Sequence, residues 1–360
     1  MSSVKTTNGL KLGGLVRPNI RRLVPYTAEE IPCTAKLDAN ESPYPAAIDY
    51  QAMLEVQPNR YPDPQARALK EALAGFLDEK IGTDWILHGN GSDELIFNLI
   101  CAFKGPVISP TPTFSMYGKI AQALNEKTLE IPLKKNFALD TPAIIKEAAK
   151  GPCMVFLSTP NNPTGNSFSQ ADILKIAAKS RGLVVVDEAY QAFSGQKSFI
   201  RQIKKHPNIA VLKTLSKIGF AALRLGFLIA VPEVINEVDK VRLPFNVNSL
   251  SQAAATGALG NPAPLNRSIE KIIAERGRLF RALSAMQGIT PHPTSANFIL
   301  FSVSHKKGIT APALCENVYR SAGVRLRHIV VPGGQEYVRV TVGARKENEL
   351  FIKAMKRALK

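Results

Sequence analysis

Long apolar runs are missing from this sequence. No stretch of the 360 residues approaches the roughly 20 apolar positions of a membrane-spanning helix, and Met1–Asn19 holds no apolar run of the kind that marks a secretory signal. Cysteine is scarce. The four present (Cys33, Cys101, Cys153 and Cys315) never fall at C-x-x-C spacing, which argues against a zinc site or a redox pair. They read as buried small hydrophobes in a reducing compartment, and a cytoplasmic protein is expected. The five histidines are scattered and form no metal-ligand pair, so no metal is expected. There is no internal repeat and no low-complexity tract. Acidic side chains are in deficit, 29 against 46 Lys and Arg, giving a net charge of +17. Such an excess favours an anionic partner. The cations are spread along the chain, with only short clusters such as Lys204-Lys205 and Lys306-Lys307. Neither an RNA-binding aromatic motif nor a helix-turn-helix signature accompanies them, so a nucleic-acid-binding protein is the weaker reading and small anions the stronger.

Apolar residues at 45% and charged residues at 21% are ordinary globular values, and 360 residues exceed what one core usually holds, so two lobes are expected. Residues 1–35 read as an irregular arm with one short helix. From Trp85 onward, short apolar runs alternate with helical spacing. Trp85-Ile86-Leu87, Val107-Ile108-Ser109, Met154–Leu157, Leu183–Val186, Val211-Leu212 and Phe227–Val231 read as strands. Leu95, Ile96, Leu99, Ile100 and Phe103 share a helical face, Thr113–Leu124 reads as a helix, and Ser169 is placed to cap another. Continuous apolar runs suit strands buried on both faces, as in parallel sheets. After about Leu243 a long helical stretch carrying Ile269, Ile272, Ile273, Phe280 and Leu283 leads into strands and a closing amphipathic helix. The expected architecture is α/β: an arm at 1–44, a large domain with a mostly parallel sheet at 45–243, and a smaller α+β domain at 244–360.

Ligands of open α/β sheets sit at the carboxyl ends of the strands, so the turns after strands carry most information. Four of them are polar where packing alone does not demand it. Gly89-Asn90-Gly91-Ser92-Asp93-Glu94 combines backbone freedom with a helix start, which suits a phosphate and equally suits a plain turn capped by Ser92. Ser158-Thr159-Pro160-Asn161-Asn162-Pro163-Thr164-Gly165 is a rigid polar turn. Asp187, in Val186-Asp187-Glu188-Ala189-Tyr190, ends a run of valines and should be partly buried, as a helix cap or as the partner of a cation. Thr214-Leu215-Ser216-Lys217 is followed by Arg224, and any one lysine is by default a surface charge.

Taken together, these turns meet the needs of one cofactor, pyridoxal 5′-phosphate. Lys217 supplies the amine that condenses with its aldehyde, and Asp187 the carboxylate facing the ring nitrogen. Asn162 and Tyr190 supply groups for the ring hydroxyl. Gly91, Ser92, Asp93, Ser216 and Arg224 supply a phosphate cradle, and Phe114 a ring to cover the pyridine face.

Over nearly its whole length the chain resembles the fold type I, class II aminotransferases, and most of all the branch acting on histidinol phosphate. The resemblance runs from Leu23-Val24-Pro25-Tyr26 through Leu37-Asp38-Ala39-Asn40-Glu41-Ser42-Pro43-Tyr44, Asn59-Arg60-Tyr61-Pro62-Asp63, Pro112-Thr113-Phe114 and the four turns. It ends at Arg327 and Tyr337-Val338-Arg339-Val340-Thr341-Val342-Gly343. It implies a homodimer in which Tyr61 reaches the neighbour's cofactor phosphate. It also implies substrate binding by Tyr26, Asn40, Asn162, Arg327 and Arg339. The implied reaction is transfer of the amino group of L-histidinol phosphate, a phosphorylated amino alcohol, to 2-oxoglutarate. Its products are imidazole acetol phosphate and glutamate, in histidine biosynthesis. An aromatic amino-acid aminotransferase or a threonine-phosphate decarboxylase would share much of this pattern. Two departures stand out: the loop from Lys217 to Arg224 is one residue shorter than is usual in the family, and Phe114 stands where some members have tyrosine.

Overall fold

The computed structural model describes residues 14–25, 31–77, 79–304 and 308–360. Tyr26 and the Lys306-Lys307 pair lie outside the described residues. Seven strands form the large sheet: β1 (Ile86–Asn90), β2 (Val107–Thr111), β3 (Thr128–Pro132), β4 (Met154–Ser158), β5 (Leu183–Asp187), β6 (Ile209–Thr214) and β7 (Leu225–Ile229). Their spatial order is β1-β7-β6-β5-β4-β2-β3. Pairing is parallel from β6 across to β3, whereas β7 is antiparallel to both β6 and β1. Six strands therefore run one way and β7 alone runs back.

The strands are apolar throughout because both faces are covered. Val155, Leu157, Val184 and Val186 point into one buried cluster, and their neighbours Met154, Phe156, Leu183 and Val185 into another. Helices Ser92–Ala102, Met116–Ala123 and Pro232–Asp239 close the second cluster through Leu95, Leu99, Tyr117 and Val234. Helices Arg67–Leu77, Gln170–Lys179 and Ala263–Ser284 close the first, through Leu69, Leu73, Ile173, Ile176, Ile269 and Ile272. Ser169 caps Gln170–Lys179 by accepting the Asp172 N–H at 3.3 Å.

A second, antiparallel sheet holds β8 (Ile289–Pro291), β9 (Phe298–Val303), β10 (Arg327–Val330) and β11 (Glu336–Thr341) in the order β10-β11-β9-β8. Helices Ala311–Ala322 and Arg345–Ala358 accompany it. The arm joins this side of the molecule: Ala35–Lys36 pairs in parallel with Val324–Arg325. No described helix is long and apolar enough to cross a membrane.

Several expectations are corrected in detail. Trp85 belongs to a short 3-10 turn, and the strand starts at Ile86. The helix expected over Thr113–Leu124 covers only Met116–Ala123. Gly91, not Ser92, is the cap residue of the helix Ser92–Ala102, because its φ of 81° takes the chain out of the strand. Cys33 and Cys101 are exposed; Cys153 is buried and Cys315 half-buried.

Candidate functional site

The reversed strand gathers the site. The carboxyl ends of β1, β2, β4, β5 and β6 lie at one edge of the sheet, and β7, running back, begins at that same edge. Asp187 is the last residue of β5, Gly91, Phe114, Asn162 and Lys217 follow strand ends, and Arg224 immediately precedes β7. A lysine and an arginine seven positions apart thus reach the same rim from opposite ends of one loop.

That loop is held tightly. Ser216–Phe220 is an irregular turn in which Gly219 takes φ 115°, and a Cβ there would lie 2.9 Å from the Ala46 amide nitrogen. Arg224 is left-handed, at φ 53° and ψ 52°. The connection closes through these two unusual backbone positions. At its far end the Arg224 guanidinium stands 3.7 Å from Asp93 and closes over the Gly91 turn, where a Cβ would lie 2.6 Å from Arg224 Nη2. Ser216 is buried beside Thr214, whose hydroxyl donates to the Ser216 hydroxyl at 3.0 Å. The first N–H groups of the helix Ser92–Ala102 have no acceptor within the helix and carry the positive end of its dipole. Backbone freedom at Gly91, a helix start, a hydroxyl and a guanidinium make a cradle for a phosphate dianion.

Asp187 closes β5 and is buried. Its Oδ1 accepts the Ala189 N–H at 3.0 Å and its Oδ2 accepts the Tyr117 O–H at 2.6 Å. Both donors are neutral. Burial therefore dominates and pushes the carboxyl up to about 6, with the two hydrogen bonds opposing and Asp93 and Glu188 adding to the rise. Tyr117 escaped the sequence reading; an aromatic at helical spacing looks like core, and only the distance to Asp187 marks it out. Behind Asp187, the buried Glu188 carboxylate pairs with Lys213 at 2.7 Å and accepts the Ser198 hydroxyl, so the ends of β5 and β6 are fastened together.

The remaining candidates meet on the side of the second sheet. Arg339 on β11 donates from Nη1 to Asn162 Oδ1 at 2.6 Å and from Nη2 to the Asp38 carbonyl at 2.7 Å. Its guanidinium also lies 5.4 Å over the Phe298 ring. Asn40 is buried in a left-handed conformation, φ 56°, and donates from Nδ2 to the Tyr190 hydroxyl at 3.0 Å. Lys217 Nζ donates to the Ala39 carbonyl at 3.4 Å and stands 6.0 Å from the centre of the Tyr190 ring. Asn40, Tyr190 and Lys217 form one group, joined through Ala39. Phe114 is half-buried and meets the Tyr117 ring edge-on at 5.5 Å. Arg327 is exposed on β10, directly across the ladder from Arg339. Tyr61 stands apart, 82% exposed and stacked on Phe245 at 4.6 Å.

The residues fit pyridoxal 5′-phosphate on three observations. The Gly91 turn leaves open the space that a Cβ would take from Arg224. The N–H groups that open the helix Ser92–Ala102 have no acceptor inside the helix and lie beside the Arg224 guanidinium. Asp187 is a buried carboxylate whose hydrogen-bond partners are neutral, a setting that a cationic ring nitrogen would satisfy.

Known proteins agree with this architecture. The family model described as Aminotransferase class I and II matches residues 31–355. Histidinol-phosphate aminotransferase 2 of Nitrosococcus oceani is 41% identical over 355 residues, covering 95% of this chain and 96% of its own. The histidinol-phosphate aminotransferase of Desulfitobacterium hafniense is 40% identical over 362 residues, covering 96% and 97%. The fold matches the crystal structure of histidinol-phosphate aminotransferase from Sinorhizobium meliloti in complex with pyridoxal-5′-phosphate, with a TM-score of 0.85 at 23% identity over 96% of this chain and 97% of that one. With the model spanning nearly all of the described sheet and rim, the chain belongs to the class I and II aminotransferases.

Proposed function

We propose that the chain moves the amino group of L-histidinol phosphate to 2-oxoglutarate, using pyridoxal 5′-phosphate, as a step of histidine biosynthesis. The observation that carries the substrate reading is the Arg339 guanidinium, held by Asn162 and the Asp38 carbonyl beside the Lys217 group, with Arg327 across the ladder. Two arginines at one rim suit substrates that are anions in both half-reactions, a phosphate monoester and then a dicarboxylate. The near full-length likeness to relatives named for this activity supports the same choice.

Bound at this rim, pyridoxal 5′-phosphate supplies an aldehyde that condenses with amines and a ring that accepts the electron pair left at the substrate Cα. Gly91, Ser92, Asp93, Ser216 and Arg224 would hold its phosphate, Asn162 and Tyr190 its ring hydroxyl, and Phe114 one face of its ring. Asp187 would keep a proton at the ring nitrogen, because its buried carboxylate is stabilised by a facing cation. Lys217 Nζ would carry the proton from the substrate Cα to the former aldehyde carbon, and back again in the second half-reaction. Asn40, Arg327 and Arg339, with Tyr26 from the arm, orient the substrate anion. Tyr61 is exposed because it belongs to a second copy's cradle, which makes the working unit a cytoplasmic homodimer. In this reading the chain divides into an arm (1–44), a large domain (45–243) and a small domain (244–360), and the described part of the arm, through Asp38, Ala39 and Asn40, meets the rim.

The test is a substrate panel on one purified holoenzyme. Amino transfer from histidinol phosphate to 2-oxoglutarate should exceed transfer from aromatic amino acids by about 100-fold or more in kcat/KM, the scale of losing a charge-assisted anion contact or two. Faster release of carbon dioxide from phosphothreonine, or aromatic amino acids as the best donors, would discard the substrate assignment.

A further inference from the structure

Tyr117 carries a hydroxyl to a place where phenylalanine would pack equally well. It lies in the helix Met116–Ala123, is 0% exposed, stacks on Phe156 at 4.8 Å and meets Phe114 edge-on. A buried hydroxyl is costly unless it is used. Here its proton goes to Asp187 Oδ2 at 2.6 Å, while the Ala189 N–H takes Oδ1. One donor on each oxygen fixes the plane of the carboxylate.

We propose that Tyr117 is a positioning residue: its hydroxyl orients the Asp187 carboxylate and stabilises its ionised form, so that Asp187 stands ready as an anion for the ring nitrogen. This rests on the role given to Asp187 above. The charged and titratable groups facing Asp187 are Asp93 from the helix start and Glu188 from its own turn, both of which oppose ionisation, with the neutral Tyr117 favouring it. Tyr190, from the same turn, faces Tyr117. Among these neighbours Tyr117 is the side chain whose hydrogen bond works for the carboxylate. Through its ring it also links the acid to Phe114, so the group that faces the cofactor nitrogen and the ring that covers the cofactor are set by one side chain.

The experiment uses Tyr117→Phe in two forms. In the apoprotein, the Asp187 carboxyl is followed by carbon-13 NMR, with Asp187→Asn identifying the signal. The midpoint, near 6 in the native chain, should rise by about one unit when the hydroxyl is lost. Fluorination of the Tyr117 ring beside its hydroxyl strengthens the donor and should move the midpoint down. In the holoenzyme, kcat should fall about tenfold or more with KM changed less than about threefold, and Tyr117→Phe should add nothing to Asp187→Asn. An unmoved midpoint in Tyr117→Phe, or losses that add in the double variant, would overturn the proposal. Full activity of Asp187→Asn would instead overturn the role given to Asp187, and the apoprotein titration reports on Tyr117 separately from that failure.

Discussion

Asp187 and His88 show how the same burial, acting on an acid and on a base, leaves opposite marks on stability. Asp187 is pushed from 3.8 to about 6 by burial, so between these values the folded chain binds a proton that the unfolded chain has released. Stability then falls as pH rises, by about 3 kcal/mol in all. His88 on β1 is 1% exposed, has an Nδ1 with no hydrogen-bond partner among the described residues, and is lowered from 6.5 to about 4 by burial, with Arg242 and Lys70 adding to the effect. The unfolded chain binds that proton more readily, so stability from His88 is lost as pH falls through 6.5 towards 4, again by about 3 kcal/mol. In the wild-type apoprotein the two slopes largely offset each other. Urea titrations between pH 4 and 6.5 should separate them: the stability of Asp187→Asn should rise more steeply with pH than wild type, and that of His88→Asn should fall. Parallel curves for all three would show that neither group titrates in the fold as described. At this same scale, Lys217→Ala should abolish transamination and leave no cofactor attached after borohydride reduction and unfolding; mass spectrometry of the reduced chain decides it. Asp187 and Lys217 were legible because each sits where an apolar strand stops and a polar side chain has no packing reason to be. Tyr117 and His88 were not, since an aromatic in a helix and a histidine in a strand look like core.

Among the elements, the cradle depends on how closely β7 approaches the Gly91 turn. Gly226 pairs with Gly89 across the ladder, and a Cβ on Gly226 would lie 2.5 Å from the Gly91 carbonyl carbon and the Ser92 nitrogen. Both neighbours are backbone and cannot swing aside. Gly226→Ala should therefore displace the helix start, lowering cofactor affinity about tenfold or more and stability by about 1–3 kcal/mol. Gly75→Ala, in a helix with nothing within 4 Å of its new methyl, serves as the control and should leave affinity intact. Fluorescence titration of each apoprotein with pyridoxal 5′-phosphate makes the comparison, and equal affinities would remove Gly226 from the cradle. Apolar strands and the amphipathic closing helix could be read directly. The edge strand β3 could not, because it is half-exposed along much of its length and carries little apolar signal. The helix Ser249–Gly260 was missed for a related reason: Ala, Gly and Ser crowd its sequence and blur any stripe.

For the whole molecule, the alternation of strand and helix announced a mostly parallel sheet with a second lobe, but direction was hidden. A run such as Leu225–Ile229 looks the same whichever way it threads, and only the pairing reveals that β7 runs back. Assembly is likewise a property of the whole. Tyr61, exposed and stacked on Phe245, is placed in a neighbour's cradle by the proposed dimer. Tyr61→Phe should keep the stack yet weaken cofactor retention several-fold, the scale of one lost hydrogen bond. Dialysis followed by absorbance of the retained cofactor measures this, and unchanged retention would count against the cross-subunit contact.

Since β6 and β7 meet as an antiparallel pair, the stretch between them starts and finishes on the same lip of the sheet. It behaves like a calliper whose jaws, the amine of Lys217 and the guanidinium of Arg224, are fixed at their hinge by Gly219 against the backbone of Ala46. The gap between the jaws is therefore held by backbone at two points, Gly219 at φ 115° and Arg224 at φ 53°, so a side chain that disfavours either left-handed position would shift one jaw against the other without touching amine or guanidinium.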